Sequence, residues 1–196
     1  MCSMDTISAK SRKSTSGEMI REAEPSDARA IAEVHVQSWR ESYRGLVPDE
    51  ALAALSVDSC AASWEGHFQG MTAPECCFVC YDDEGLSGFI YAGPARSEDL
   101  GPHGEVYAIY LLDRVKGRGI GRALMYQAVS RLRAAGCRSV CLWFLKDNPA
   151  RGFYQRFGGR VVAEKPYSRP GFTLPSLGYV WEDIEELASR LGSKEP

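Results

Sequence analysis

The feature that most constrains the fold of this chain is a strand, a glycine-rich turn and a helix that follow one another over residues 104–135. Residues 105–112 are almost continuously apolar, and the turn after them has glycines at alternate positions, Gly117, Gly119 and Gly121. Without side chains at these positions, successive backbone N–H groups and the positive end of the helix dipole can converge on one point. The segment therefore predicts a site for an anion, such as the phosphate groups of a nucleotide-like cofactor.

The spacing of these glycines excludes two common phosphate loops. A dinucleotide-binding loop has the pattern G-x-G-x-x-G, whereas here a single residue separates the second and third glycines and Arg122 comes next. A P-loop requires Lys and then Ser or Thr after its last glycine, but Gly121 is followed by Arg122 and Ala123. The pattern that remains is K-G-R-G-I-G-R-A-L, shortly after the strand E-V-Y-A-I-Y-L-L.

This pattern resembles the coenzyme A loop of the GNAT superfamily of N-acetyltransferases, in which Arg or Gln is followed by two residues, Gly, one residue, and Gly or Ala. Lys116 stands in the first position here. A second motif, D-N-P-A-R-G-F-Y-Q-R-F-G-G, follows an apolar strand at residues 139–145. It resembles the family segment in which Asn148 opens a short helix that bears Tyr154. Two motifs in the expected order are more specific than either alone, and the resemblance extends over residues 18–182.

The order of the predicted elements, in which helices lie between strands, is that of an α/β protein. The resemblance implies a single GNAT-like domain whose mixed, mostly antiparallel central sheet is flanked by helices. That sheet is splayed between its fourth and fifth strands, so that the pantetheine arm of the cofactor lies between them. We predict a disordered tail over residues 1–17, the domain over 18–185 and a second tail over 186–196. The predicted strands cover residues 18–22, 76–81, 86–91, 104–112, 138–145, 160–164 and 177–182.

The resemblance also assigns roles to individual residues. Glu105, at the head of the fourth strand, has the place of the family's general base, which takes a proton from the acceptor ammonium through water. Tyr154 matches the family's acid, which returns a proton to the departing coenzyme A thiolate. A backbone N–H around Tyr110 and Leu111 is expected to polarise the acetyl carbonyl. The implied cofactor contacts are Ile109, Tyr110, Leu111, Lys116, Gly117, Arg118, Gly119, Ile120, Gly121, Arg122 and Asn148.

Charge and composition narrow the range of partners. The net charge is −3 with acidic and basic residues well mixed, which gives no basic patch for nucleic acid or a membrane surface and favours a cationic acceptor over an anionic one. No apolar stretch approaches the length of a membrane span, and the N-terminus lacks the apolar core of a secretion signal, so we expect a cytoplasmic protein.

The cysteines indicate reduced thiols and no metal site. Their number, seven, is odd in a chain too long to need disulfide bridges. Cys76, Cys77 and Cys80 lie in a strand-like run, and no second pair of cysteines or histidines follows at metal-ligand spacing. A covalent acetyl-cysteine at Cys137 or Cys141 stays open, although no histidine near them in sequence would activate the thiol.

Together these observations predict an acetyl-coenzyme A dependent N-acetyltransferase that moves an acetyl group directly to a primary amine in a ternary complex. The acceptor is a small molecule or a peptide that the sequence does not identify, since acceptor pockets are built from variable loops. A homodimer is left open. The alternatives are a noncatalytic coenzyme A-binding or sensor module, and an acyltransferase for protein N-termini or longer acyl chains. The segments expected to form the acceptor pocket offer Trp39, Tyr43, Trp64, His67, Asp82, Asp83 and His103, none of which the sequence singles out.

Overall fold

The computed structural model describes residues 18–96, 100–101 and 104–193, together with the backbone of Arg12–Lys13. The N-terminal tail predicted over residues 1–17 lies outside the described residues, apart from Arg12–Lys13, whose backbone pairs with the first long strand of the sheet.

Seven further strands form one mixed sheet. Their order across the sheet is β1-β2-β3-β4-β5-β7-β6, with Arg12–Lys13 on the outer edge of β1. All neighbours are antiparallel except β4 and β5, which are parallel, so the predicted α/β fold with a mixed sheet is confirmed. The strands are β1 (Met19–Glu22), β2 (Cys76–Asp82), β3 (Gly85–Pro94), β4 (Gly104–Leu111), β5 (Val140–Leu145), β6 (Arg160–Arg169) and β7 (Phe172–Trp181).

Helices cover both faces of the sheet, because successive side chains of a strand pack into hydrophobic cores on opposite faces. In β2, Cys76, Phe78 and Cys80 pack with α4 and α6, whereas Cys77 and Val79 pack with α1 and α3 on the opposite face. The predicted buried strand over these cysteines is thereby confirmed. The helices are α1 (Ala28–Ser42), α2 (Asp49–Ala53), α3 (Val57–Gly70), α4 (Ile120–Ala134), α5 (Arg151–Arg156) and α6 (Ile184–Gly192).

The C-terminal helix corrects the predicted tail over residues 186–196. Ile184, Leu187 and Leu191 recur at helical spacing and are buried against α4. The Asp183 side chain caps the helix by accepting from the N–H groups of Glu185 and Glu186. Residues 186–192 therefore belong to the domain, and both the apolar stripe and the cap were present in the sequence.

The hairpin of β6 and β7 is longer than the predicted strands at 160–164 and 177–182. Its outer part contains Pro166 and Pro175, although proline is disfavoured inside strands. In the structure these two prolines face each other across the ladder. Facing residues in an antiparallel pair exchange either two hydrogen bonds or none, so two prolines fit where none is exchanged. The hairpin thereby extends to the turn at Pro170 and Gly171 and reaches the end of the sheet that carries the site.

β4 and β5 diverge after a short parallel ladder. Only Gly104, Glu105 and Val106 of β4 pair with β5. Opposite this point Ala108 pairs with Tyr91 and Val106 with Ala92 of β3, so Tyr107 is the extra residue of a β-bulge, which bends the strand. Residues 107–111 then have no partner in β5, which pairs along its whole length with β7. The predicted splay between the fourth and fifth strands is confirmed.

Candidate active site

The glycine loop between β4 and α4 is shaped to receive an anion. Gly117 and Gly119 have left-handed backbones, with φ of 76° and 83°, and open space lies where a Cβ would stand on either. The first hydrogen bond of α4 runs from the Ala123 N–H to the Gly119 carbonyl, so the N–H groups of Ile120 and Gly121 have no acceptor within the helix. The predicted cradle of bare backbone amides at a helix N-terminus is present.

The charged side chains of this loop are turned toward the protein. Lys116 donates to the Ser42 hydroxyl at 2.9 Å and pairs with Asp113. Arg118 forms an ion pair with the buried carboxylate of Glu18 at 2.6 Å. Arg122 donates from Nε to the Leu191 carbonyl, at the C-terminal end of α6. These cations fix the position of the loop, and the backbone amides are the groups that remain directed to a ligand.

The gap between β4 and β5 exposes backbone N–H groups of β4. The Leu112 N–H donates to the Ser87 carbonyl of β3 at 2.9 Å. Since N–H groups alternate in direction along a strand, the Tyr110 N–H also faces β3, whereas those of Ile109 and Leu111 face the gap. Of the two backbone N–H groups predicted to polarise a carbonyl, that of Leu111 faces the gap and is available, whereas that of Tyr110 faces β3 within the sheet.

A cavity of about 770 Å³ fills the gap and continues to α1, α2 and α3. Ile109, Tyr110, Asn148 and Tyr154 are predicted site residues that line it, whereas Glu105 and Leu111 do not contribute side chains to its wall. Ser176, on β7, closes the side opposite β4. One continuous space therefore runs from the exposed edge of β4 to the aromatic side chains of the first helices.

Tyr154, on α5, is a buried tyrosine that lines this space. Its ring packs against Phe144 at 5.2 Å and Phe153 at 5.4 Å between centroids. Burial, and to a smaller extent the nearby Tyr110, raise the pKa of Tyr154 well above its usual value. The hydroxyl is therefore protonated at neutral pH, and no described side chain hydrogen-bonds to it. It can donate to a group that enters the cavity.

Asn148 links α5 to the α1 region through hydrogen bonds of its side chain. Its side-chain oxygen accepts from the Ala150 N–H at 2.8 Å, at the start of the turn that leads into α5. Its amide nitrogen donates to the Tyr43 hydroxyl of the α1 region at 2.9 Å. Both groups of the predicted cofactor ligand are thus engaged with the protein, and Asn148 holds α5 and α1 at a fixed separation.

Glu105 lies at the other end of β4, beside the aromatic wall. One carboxylate oxygen accepts from the Arg96 N–H at 2.8 Å. Burial raises the pKa of Tyr107 to about 12 against the opposing effect of Arg96, and the nearby charges of Glu75 and Glu105 add smaller contributions to the rise. Glu105 is therefore at the rim of the cavity, on the side of Tyr107 and Arg96.

Sequence similarity now places the chain among known proteins. It matches the sequence model of the Acetyltransferase (GNAT) family over residues 30–159. The chain belongs to this family. The uncharacterized N-acetyltransferase YuaI of Bacillus subtilis (strain 168) is 36% identical over 174 residues, which are 88% of this chain and 97% of that relative. The protein is therefore a GNAT N-acetyltransferase.

Solved GNAT structures share the fold. The PaiA N-acetyltransferase of Thermoplasma acidophilum in complex with coenzyme A superposes with a TM-score of 0.64 at 18% identity, over 84% of this chain and 98% of the other. The acetyltransferase YncA of Salmonella typhimurium, with acetyl-CoA, gives 0.62 at 19% identity, over 85% and 94%. At this identity the likeness establishes the overall architecture.

The wall of the cavity beside α1 and α3 includes a residue that the sequence did not single out, His35. His35 stacks on Tyr110 with ring centroids 4.7 Å apart and receives edge contacts from Trp64. Burial, and to a smaller extent His67, lower the pKa of His35 from 6.5 to about 4. The ring is neutral at pH 7, and its Nδ1 lies 3.5 Å from the Cys60 thiol. A histidine on the apolar stripe of α1 was the only signal available for this position.

Of the side chains that the sequence offered for the acceptor pocket, the structure brings four together and separates two. Asp82 binds the Arg114 guanidinium at 3.1 Å and, like Asp83, does not line the cavity. His103 lies outside the described residues. The four that line the cavity are Trp39, Tyr43, Trp64 and His67.

Cys137 and Cys141 lie outside the cavity, and the described residues contain neither a metal-binding cluster nor a membrane-spanning helix. Burial raises the pKa of Cys141 to about 12 and raises that of Cys137 as well, and neither residue lines the cavity. Across the described ranges, no group of three His, Cys, Asp or Glu could hold a metal ion. No helix in the part of the chain that the structure describes is long and apolar enough to cross a membrane.

Proposed function

We propose that the protein transfers an acetyl group from acetyl-coenzyme A directly to the primary amine of a small-molecule or peptide acceptor. The observation that carries this proposal is the continuous cavity that joins the exposed edge of β4 to the aromatic pocket beside Tyr154. A donor lying along β4 and an acceptor held by the helices would meet at that hydroxyl. The GNAT structures obtained with coenzyme A and acetyl-CoA support the choice of donor.

The loop and the strand edge fit the donor. Gly117, Gly119, Ile120 and Gly121 would hold the pyrophosphate through backbone N–H groups, because the space above the two left-handed glycines is open. Gly121 faces Leu111 and Phe153 at ordinary contact distance, so the loop and the split strand form one surface. The donor supplies a thioester carbonyl, and the Leu111 N–H, which faces the gap between β4 and β5, would stabilise charge on its oxygen.

Two protein groups would handle protons. An ammonium must lose a proton before it attacks, and Glu105 is assigned to receive it through water, since its carboxylate is at the cavity rim and has an oxygen beyond the bond to Arg96. Tyr154 is assigned to donate to the sulfur as the C–S bond breaks. Because its pKa is raised, the hydrogen bond it gives to the sulfur matters more than its acidity. Overall an ammonium and a thioester become an amide, a thiol and one released proton.

Direct transfer is favoured over an acetyl-cysteine intermediate. Cys137 and Cys141 do not line the cavity, and their raised pKa values leave them as thiols rather than reactive thiolates. Cys60 does line it beside His35, but burial raises its pKa as well. A neutral, buried His35 with a pKa of about 4 is a weak base for activating that thiol.

The test is amine-dependent release of coenzyme A thiol from acetyl-coenzyme A, with the acetylated product identified by mass. We expect intersecting initial-rate lines and no acetylated protein in the absence of acceptor. A protein that binds coenzyme A but releases no thiol with any amine would instead be the noncatalytic module. Acetylation of Cys60, Cys137 or Cys141 that is chased by acceptor would replace direct transfer with a two-step route.

A further inference from the structure

The charge of the cavity wall differs from that of the whole chain. The net charge is −3, yet the described residues that line the cavity include Arg96 and Arg169 and no Asp or Glu. An acceptor whose only charge is positive would meet no carboxylate among these lining residues, since Glu105, which is assigned to its ammonium, lies outside the wall. Burying the rest of such an acceptor therefore gains nothing from the two arginines. The expectation of a cationic acceptor, drawn from overall composition, does not fit the pocket.

Arg169 faces a cluster of tyrosine hydroxyls. It lies at the tip of the β6–β7 hairpin, with its guanidinium 4.7 Å from the centre of the Tyr167 ring. Its charge opposes the rise in pKa that burial causes at both Tyr110 and Tyr167, and all three residues line the cavity. Tyr43 lines the same cavity and adds to the rise in the pKa of Tyr110, of which burial is the larger cause.

Every polar group of this cluster is a hydrogen-bond donor at neutral pH. Burial keeps Tyr43, Tyr110 and Tyr167 protonated. The Trp39 indole N–H is buried and lies near the Tyr110 hydroxyl, but within the described residues it has no acceptor in hydrogen-bonding geometry. A buried donor without a partner and an arginine at the same wall select for a ligand group that is anionic and rich in acceptors.

We propose that the acceptor is an amine that also carries a carboxylate, and that Arg169 binds this carboxylate with donors from Trp39 and Tyr110. This inference rests on the proposed function, of which it names the substrate class. An arginine matches a carboxylate by two parallel hydrogen bonds. The remaining walls are aromatic, with Trp39 and Tyr43 4.7 Å apart, and such faces accept both an apolar body and an ammonium group. The acceptor class is therefore that of amino acids and their close analogues.

The first experiment compares acceptors that differ only in the carboxylate. L-Phenylalanine and L-phenylalaninamide, and L-methionine and L-methioninamide, are assayed with acetyl-coenzyme A by thiol release. The amides have the less basic amine, so a preference for the acids cannot come from a larger fraction of free amine. We expect kcat/KM to favour the acids by about 10- to 100-fold, the value of one charge-assisted contact. Equal rates, or a preference for the amides, would overturn the proposal.

The second experiment removes the arginine. Arg169→Met, at an exposed hairpin tip, should lower kcat/KM for the acids by about 10- to 100-fold and change that for the amides by less than about threefold. Arg169→Lys should restore part of the loss. Arg160→Met is the matched control, because Arg160 is an exposed arginine on the same strand that pairs with Glu182 outside the cavity. An equal loss for acids and amides would mean that Arg169 has only a structural role.

A binding measurement separates this inference from the proposed function. N-Acetyl-L-phenylalanine and its amide are titrated calorimetrically into the protein with coenzyme A bound, which requires no turnover. Tighter binding of the acid, lost in Arg169→Met, supports the carboxylate site even if no amine releases thiol, in which case only the proposed function fails. If thiol is released but the acid and its amide bind equally well, the inference is overturned and the proposed function is left intact.

Discussion

The proposed donor side and the proposed acceptor side of this GNAT domain are built from different parts of the chain. On the donor side the contacts come from backbone N–H groups of one continuous segment, β4, the glycine loop and the start of α4. On the acceptor side they come from side chains of distant elements, among them His35 and Trp39 of α1, Trp64 of α3 and Arg169 of β6. The donor side thus depends on local backbone conformation, and the acceptor side on how helices and strands pack.

This difference determines which substitutions each side tolerates. A site made of backbone N–H groups does not depend on which side chains are exposed around it. In this loop the side chains of Lys116, Arg118 and Arg122 accordingly bind protein groups instead of pointing to a ligand. It is sensitive to any side chain that fills the space over the amides. A side-chain site can be altered one group at a time, so the acceptor can diverge while the donor remains the same.

The largest expected effect is on the donor side, at Gly119. Gly119→Val would place a branched side chain in the open space above the amides and force it into a left-handed backbone, so the affinity for coenzyme A should fall on the order of 10³-fold. Gly45→Val is the control, because Gly45 has a similar φ of 79° and open space but lies outside the loop. Calorimetric affinities and melting temperatures of both variants should show shared destabilisation and a loss of binding only at Gly119.

Tyr154 lies where the proposed donor and acceptor sides meet, and its substitution tests whether its hydroxyl takes part in the reaction. Tyr154→Phe keeps the ring and removes the donor, so the single-turnover rate should fall about 10²-fold with little change in coenzyme A affinity. Tyr179→Phe is the matched control, since Tyr179 is buried in the same aromatic cluster, 6.1 Å away, and does not line the cavity. Equal, small effects on rate for the two variants would make Tyr154 a packing residue.

On the acceptor side, His35 should make stability depend on pH. Its folded pKa of about 4 lies below the unfolded value of 6.5. Between pH 6.5 and about pH 4 His35 therefore binds a proton in the unfolded chain but not in the folded protein. Over this range the free energy of unfolding falls as the pH falls, by about 2–3 kcal/mol in total. Above pH 6.5 the residue has no effect. His35→Gln should flatten this part of a denaturation series, whereas His67→Gln, at an exposed position, should not.

The smallest effect is expected at Glu105, whose carboxylate is at the rim. Glu105→Gln should lower kcat about 10-fold, because the charge that accepts the proton is gone while the bond to Arg96 can be kept. Glu65→Gln, an exposed glutamate on α3, serves as the control. If both variants retain full kcat at neutral pH, the ammonium loses its proton to solvent, and the acceptor side contributes only binding.

The donor side could be predicted from the sequence because its geometry is local. Glycine spacing after an apolar strand sufficed for the loop, and the second motif placed Tyr154 on its short helix. Side-chain directions were not readable from the sequence, since Arg122 bonds to α6 and Asn148 to Tyr43, and both partners are far away in the chain. The β6–β7 hairpin is longer than predicted, and it accommodates Pro166 and Pro175 as a facing pair, which depends on the pairing of two strands.

The sequence by itself determined the fold class, the order of the strands and the bare glycine backbone of the loop after β4, because hydrophobic period and glycine conformation act over a few residues. Tertiary structure decided the acceptor pocket. The bulge at Tyr107 and the split of β4 from β5 opened a space, and packing brought His35, Trp39 and Arg169 around it. Their charge and pKa follow from burial among one another, which depends on contacts between residues far apart in the chain and is invisible in local spacing.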